Sequence, residues 1–338
     1  MPELFETVYG RGLVSELKHS VHRPYLVVTM SDLWPMFMNE FDEALAGPLF
    51  VETLERAHLD RIVAELPSLA SVIGLGGGQA LDVAKYVAWQ TGRPLFQVPT
   101  ALSVNAAWAH RAAVRADGVV KYVGWAIPEA VYVDFDVIRG APLALNRSGV
   151  GDILCYHTAH WDWRLARDDG KLEPRWPYDE RLVAEAEVAF QRVVAHIEDI
   201  RDMSDEGIRA LAESLRWGGA AFHNAGWNPR HIEGSEHFVF YVLEYLTGRP
   251  FIHGQIVSLG ILLMSALQGN RPDWIKEVID RIGVTYRPED LGLTWDHVAQ
   301  GLRMLPEFVD RAGLWYTVAS ARAVSDDYID RMRVWLSA

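Results

Sequence analysis

Up to Asp136 the chain alternates two kinds of pattern. Short, near-continuous apolar runs occur at residues 25–29, 49–51, 71–75, 94–98, 119–123 and 131–133. Between the earlier ones lie segments whose apolar residues recur every three or four positions: 33–45, 54–66 and 81–91. Runs of the first kind read as buried strands and segments of the second as amphipathic helices. Their alternation predicts a parallel sheet covered by helices on both faces. After Pro142 the pattern changes. Helical spacing dominates from Asn146 onward, most clearly over 182–200, 208–222, 238–246, 256–267 and 324–336, while the polar stretch 167–175 reads as a loop. The chain therefore divides into a Rossmann-like α/β nucleotide-binding domain over 1–145 and an all-α domain over 146–338, with substrate expected in a cleft between them.

The alternation is most informative at residues 71–88, where an apolar run ends in Gly76, Gly77 and Gly78 and helical spacing begins at once. Glycines between a strand and a helix start suit an anion, because the first helical N–H groups lack internal partners and the dipole is positive there. Without a Cβ the backbone can come close to a pyrophosphate. The plain alternative is a tight strand-to-helix turn. The spacing is not the usual G-x-G-x-x-G, since Gln79 holds the third glycine's place, and no Gly-Lys-Ser/Thr follows to make a Walker motif.

Composition narrows the partners. The 338 residues carry a net charge of −13, which disfavours nucleic acid and anionic membrane surfaces. No apolar run approaches the roughly 18 residues of a spanning helix. Residues 1–20 lack the apolar core of a signal peptide. Cys155 is the single cysteine, so one chain can build neither a disulfide framework nor a cysteine-based metal site. A globular cytoplasmic protein acting on a small molecule is the expectation, with the oligomeric state open, a homo-oligomer included.

The helical half offers a candidate metal site. Asp152, His237 and His253 each stand at a predicted helix start, beside Gly151, after Gly234-Ser235-Glu236 and before Gly254. A carboxylate with two imidazoles is a common ligand set for Zn²⁺ or Fe²⁺ and leaves room for a substrate oxygen. Spacing alone does not select these residues. Asp152 by itself reads as a helix-start acid, and His110, His157, His160, His223 and His231 are equally available.

Several motifs occur together, and in order: Gly76-Gly77-Gly78-x-x-x-Asp82-x-Ala84-Lys85, Pro99-Thr100-x-x-Ser103, Pro128-x-Ala130-x-x-x-Asp134, Gly149-x-Gly151-Asp152, Asp162-Trp163-Arg164-Leu165-Ala166, Gly234-x-Glu236-His237 and His253-Gly254. In these the chain resembles the iron-containing alcohol dehydrogenase and glycerol dehydrogenase superfamily, whose fold is dehydroquinate synthase-like. The likeness is greatest to the sn-glycerol-1-phosphate dehydrogenases. It implies a metal-dependent oxidoreductase interconverting a small hydroxyketone, or its phosphate, and the alcohol. Gly76, Gly77, Gly78, Asp82, Thr100 and Ser103 would hold NAD(H) or NADP(H). Asp152, His237 and His253 would hold one divalent metal, Zn²⁺ first, with Fe²⁺ or Ni²⁺ as the other candidates. A sugar-phosphate cyclase or lyase of the dehydroquinate synthase type, using NAD transiently, is the alternative; such enzymes typically carry Glu where this chain has Asp152. A third reading is a relative that keeps the fold without catalysis.

The chain also departs from the family at positions the resemblance assigns to substrate. Asn105 and Ala106 stand where those enzymes have Asp-Gly, and Tyr241 stands where they place a second His, one turn along from His237. Trp108 and His110 reshape the loop after Ser103, and Glu233 replaces a small Ser. Asn keeps the shape of Asp without its charge or basicity, and Tyr offers a phosphate no positive charge. A changed substrate is the expectation.

Overall fold

A computed structural model describes residues 5–116 and 119–337. These form two compact units, Met1–Asn146 with Gly219–Asn224, and Arg147–Gly218 with Ala225–Ala338.

The first unit is built on a six-stranded sheet. Its strands are β1 (Glu6–Gly10), β2 (Tyr25–Thr29), β3 (Leu45–Phe50), β4 (Ser71–Gly76), β5 (Leu95–Pro99) and, after the hairpin β6 (Ala112–Ala116) and β7 (Val119–Val123), β8 (Ala130–Asp134). The order across the sheet is β1-β8-β5-β4-β2-β3, and every pair is parallel. The central strands β2, β4 and β5 are buried at every position, which is why they read as unbroken apolar runs. Alternate side chains feed opposite faces. Leu26, Val28 and Val72 join one core with Val83, Val87 and Leu59. Tyr25, Val27, Ile73 and Leu75 join the other with Leu17 and Val14.

The topology puts a switch point in this unit. From β2 the chain moves outward to β3, then returns to lay β4 on the other side of β2 and continues through β5 to β8. Connections leave β2 and β4 in opposite directions, and the space outside the carboxyl ends of strands at such a switch point is where open α/β sheets bind ligands. The helix Gly78–Thr91 starts there, directly after β4.

Several details differ from the sequence reading. β1 lies in a region without a strand signal: it is a short edge strand with mixed polarity that pairs with β8 far along the chain. β6 also escaped the pattern, and β7 pairs with it in a separate antiparallel hairpin instead of joining the sheet. The helix expected over 33–45 is only Trp34–Phe37 followed by a 3₁₀ turn Met38–Glu40, and β3 begins already at Leu45.

Among the described residues the second unit is helical, without a strand. The segment 182–200 is two helices, Glu180–Ala195 and Ile197–Asp202, broken at His196. Asp205–Asn224, Ser235–Thr247, His253–Gln268 and Asp326–Ser337 follow the pattern closely, and Tyr156–Asp168 is a further helix whose end reaches into the stretch read as a loop. Pro272–Ile282 and Trp295–Ala312 are further helices; Pro306 sits inside the second. No described helix is long and apolar enough to cross a membrane.

Candidate active site

The glycines after β4 do separate jobs. A Cβ on Gly74 would lie 2.2 Å from Gln97 Oε1 and 2.8 Å from the Ala84 Cβ, so this glycine lets the helix pack onto the sheet. Gly76 has φ +155° and a Cβ there would meet the Ala80 Cβ at 2.7 Å, so it makes the turn. Gly77, at the helix N-cap, is different. A Cβ on it would meet nothing within 4 Å, and its dihedrals (φ −80°, ψ −174°) suit any residue. Its bareness serves neither packing nor backbone conformation, and it faces open space beside a helix N-terminus. That is the arrangement a pyrophosphate needs.

The other expected cofactor residues lie in the same unit. Thr100, at the end of β5, donates its backbone N–H to Gly76 O at 3.0 Å, tying the two strand ends together. Thr100 and Ser103 are both buried. Asp82 is occupied otherwise: its carboxylate pairs with Lys85 Nζ at 2.6 Å and accepts the Ala113 N–H, while Lys85 also donates to Arg111 O. Burial pushes the Asp82 carboxyl up and Lys85 opposes the shift. Asp82 and Lys85 thus fasten the helix to the strand β6. Asn105 begins a 3₁₀ turn and its carbonyl accepts from Trp108 and Ala109. Trp108 points inward, with its indole N–H on Thr7 Oγ1, and His110 is buried edge-on to Phe5 and Trp125. Asp134 caps the helix Phe135–Gly140 and also accepts Leu13 N–H.

In the second unit the structure brings Asp152, His237 and His253 together. Their ligand atoms lie within 4.8 Å of one another. Asp152 Oδ1 and His253 Nε2 are 3.0 Å apart, and the rings of His237 and His253 are 5.2 Å centroid to centroid. Glycines make this approach feasible. A Cβ on Gly151 would strike Gly254 O at 2.5 Å, and one on Gly254 would strike Ser148 O at 1.7 Å, so the backbones bearing Asp152 and His253 touch. A Cβ on Gly260 would lie 2.3 Å from Glu236 O, which holds the helices Ser235–Thr247 and His253–Gln268 equally close.

The donor set fits a divalent cation, one carboxylate oxygen and two imidazole nitrogens. The electrostatics fit as well. Burial works against a charge on the His237 imidazole, but the Glu236 hydrogen bond and the Glu233, Glu236 and Asp152 charges outweigh it and lift the ring to about 9. The surrounding carboxylates thus favour positive charge at His237. Cys155, Glu236 and His237 form a second group of close ligand atoms, but they are already engaged in hydrogen bonds, two of them with each other. The thiol donates to Ile232 O, and His237 Nδ1 lies 2.8 Å from Glu236 Oε1.

Sequence reading left Glu236 unassigned, although it stands beside a ligand in a quoted motif. It is fully buried and accepts from Gly234 N–H and Thr158 Oγ1, both at 2.6 Å. Asp162 is also part of this scaffold: it accepts the Ser235 N–H and hydroxyl and the Val318 N–H, capping two helix starts. Tyr241 is half-buried, its ring 6.4 Å from that of His237, and its hydroxyl donates to Glu233.

A parallel sheet with a bare glycine turn at a helix start, in one chain with a helical unit where Asp152, His237 and His253 converge, is what a metal-dependent nicotinamide dehydrogenase would require. The family model for iron-containing alcohol dehydrogenases matches residues 38–142. A glycerol-1-phosphate dehydrogenase [NAD(P)+] of Hyperthermus butylicus is 31% identical over 316 residues, 88% of this chain and 87% of that one. Among solved structures, a probable glycerol dehydrogenase from Sinorhizobium meliloti superposes with a TM-score of 0.74 at 19% identity, covering 98% of this chain and 97% of the other. A sulfoacetaldehyde reductase from Bifidobacterium kashiwanohense, solved with NAD⁺, does so at 0.67 and 17%, covering 99% and 97%. The chain belongs to the iron-containing alcohol dehydrogenase family, on its glycerol-1-phosphate dehydrogenase-like side, and is an NAD(P)-dependent oxidoreductase. The relative at 31% identity is a dehydrogenase, which favours that reading over the cyclase.

Proposed function

We propose that the chain reduces a small hydroxyketone, or its phosphate, to the alcohol, and that its substrate pocket differs from that of glycerol-1-phosphate dehydrogenases. The observation that carries the reading is the convergence of Asp152, His237 and His253 within 4.8 Å. A divalent metal there, Zn²⁺ first among the candidates, supplies Lewis-acid stabilisation of the oxygen that gains charge, and NADH or NADPH supplies the hydride. Asp152 contributes the one charged ligand, and His237 and His253 contribute neutral nitrogen donors. The bare backbone at Gly77 and the helix start at Gly78 receive the pyrophosphate, with Gly76 shaping the turn and Thr100 and Ser103 beside it.

The altered pocket is supported by charge. Glu233 stands near enough to His237 to raise its affinity for a proton, alongside Asp152 and Glu236. Tyr241, bonded to Glu233, is neutral. A third carboxylate beside His237 would repel a phosphate dianion that comes close, and Asn105 can hydrogen-bond but cannot act as a base. Dihydroxyacetone phosphate is therefore expected to be a poor substrate, and a bulkier or differently charged hydroxyketone a better one. A screen of ketones with NADH and NADPH tests this. Reduction of dihydroxyacetone phosphate at a kcat/KM of about 10⁴ M⁻¹s⁻¹ or more would refute the altered pocket. A gain of that activity in Asn105→Asp with Tyr241→His would support it.

A further inference from the structure

We propose that Glu236 is a positioning residue for metal binding: it fixes which nitrogen of His237 is offered to the cation and holds the ring in place. The inference rests on the metal reading above and extends it to a residue outside the ligand set.

The argument is one of donors and acceptors. A carboxylate accepts and does not donate. Glu236 Oε1 lies 2.8 Å from His237 Nδ1, so the proton of the neutral ring belongs on Nδ1 and the lone pair is left on Nε2. The other tautomer would set an unprotonated Nδ1 against the carboxylate, and a ring turned over about χ2 would set Cδ2 there and lose the bond. Glu236 is itself held. Oε1 also accepts the Gly234 N–H, and Oε2 accepts the Thr158 hydroxyl from the helix Tyr156–Asp168. Its main chain is held too, because Gly260 packs against its carbonyl. The carboxylate therefore has little freedom to swing away. Its negative charge, one imidazole removed from the cation, also strengthens His237 as a donor. A residue that served only to close the helix start would need the Gly234 bond alone. The bonds to His237 and Thr158 are what the positioning role adds.

The test is metal affinity, measured for Zn²⁺ by competition with a chromophoric chelator, together with the d–d absorption spectrum of the Co²⁺-loaded protein. Glu236→Gln keeps the size and removes the charge. Its dissociation constant for Zn²⁺ should rise about 10–100-fold, and its Co²⁺ spectrum should change, with the thermal transition of the metal-free protein near wild type. Thr158→Val, which removes the hydroxyl at constant shape, should weaken binding in the same direction, and Thr158→Ser should restore it. A folded Glu236→Gln with wild-type affinity and spectrum overturns the proposal. If that variant does not fold, wild-type affinity in Thr158→Val overturns it instead. A wild-type chain that binds neither Zn²⁺ nor Co²⁺ would refute the proposed function itself, a result distinct from a wild type that binds and a variant that binds equally.

Discussion

Single carboxylates carry much of this molecule, and they do unlike things. Asp152 is a proposed ligand, Glu236 a proposed brace, Asp82 half of a buried ion pair, and Asp134 and Asp162 cap helices. Alanine at Asp152, His237 or His253 should each remove bound metal and most turnover while leaving the fold; full metal content and activity in two of the three would refute the ligand set. Asp162 gives a pH prediction. Burial lifts its carboxyl from 3.8 to about 6, against the Ser235 and Val318 hydrogen bonds. The folded chain then holds a proton between those values that the unfolded chain releases. The stabilisation from Asp162 is full below the unfolded value and is lost as pH rises through about 6. Denaturant unfolding of Asp162→Asn and wild type at pH 4.5 and 7.5 should show the wild type losing more stability across that interval, by about 2 kcal/mol, whatever constant offset the substitution adds. Parallel curves would show the shift absent.

At the scale of elements, glycines set where helices can begin and how closely they meet. Gly77→Val should weaken dinucleotide binding severely with little change in melting temperature, since a Cβ there meets nothing within 4 Å. Gly76→Ala should do the reverse, lowering stability through its collision with Ala80 and its φ of +155°. NADH titration and calorimetry on the two variants separate ligand space from turn geometry; equal effects on both measurements would refute the distinction. Gly254→Ala touches no ligand atom, yet its methyl cannot share space with Ser148 O at 1.7 Å. It should cost about 1–3 kcal/mol and lose metal together with stability, because Asp152 and His253 must move apart.

For the whole molecule, each ligand should stabilise the chain through the unit that holds it. Zn²⁺ and NADH should each raise the unfolding temperature by mass action, by an amount equivalent to about 2.7 kcal/mol at a hundredfold excess over the dissociation constant. Asp152→Ala should abolish the Zn²⁺ shift and keep the NADH shift, and Gly77→Val should do the opposite. Loss of both shifts in either variant would show that the two ligands do not depend on separate residues.

What the sequence determined by itself is what is local. The buried strands β2, β4 and β5 were legible because a strand covered on both faces must be apolar throughout, and the long helices because one apolar face repeats every three to four residues. The turn at Gly76 to Gly78 was legible because its two flanking periods change within three residues. Motif order was enough for the family. Tertiary structure decided the rest, where residues distant in sequence supply each other's environment. β1 is a strand only because β8 pairs with it, and β7 left the sheet because β6 captured it. His237 and His253 could not be chosen from twelve histidines by spacing, nor Asp152 from the other acids; the three candidate ligands meet because glycines at 151, 254 and 260 let three helix starts touch. Glu236 and Asp162 were silent in the sequence for the same reason. A carboxylate acquires its task from the donors brought to it, here Thr158, Gly234 and His237 for one and Ser235 and Val318 for the other.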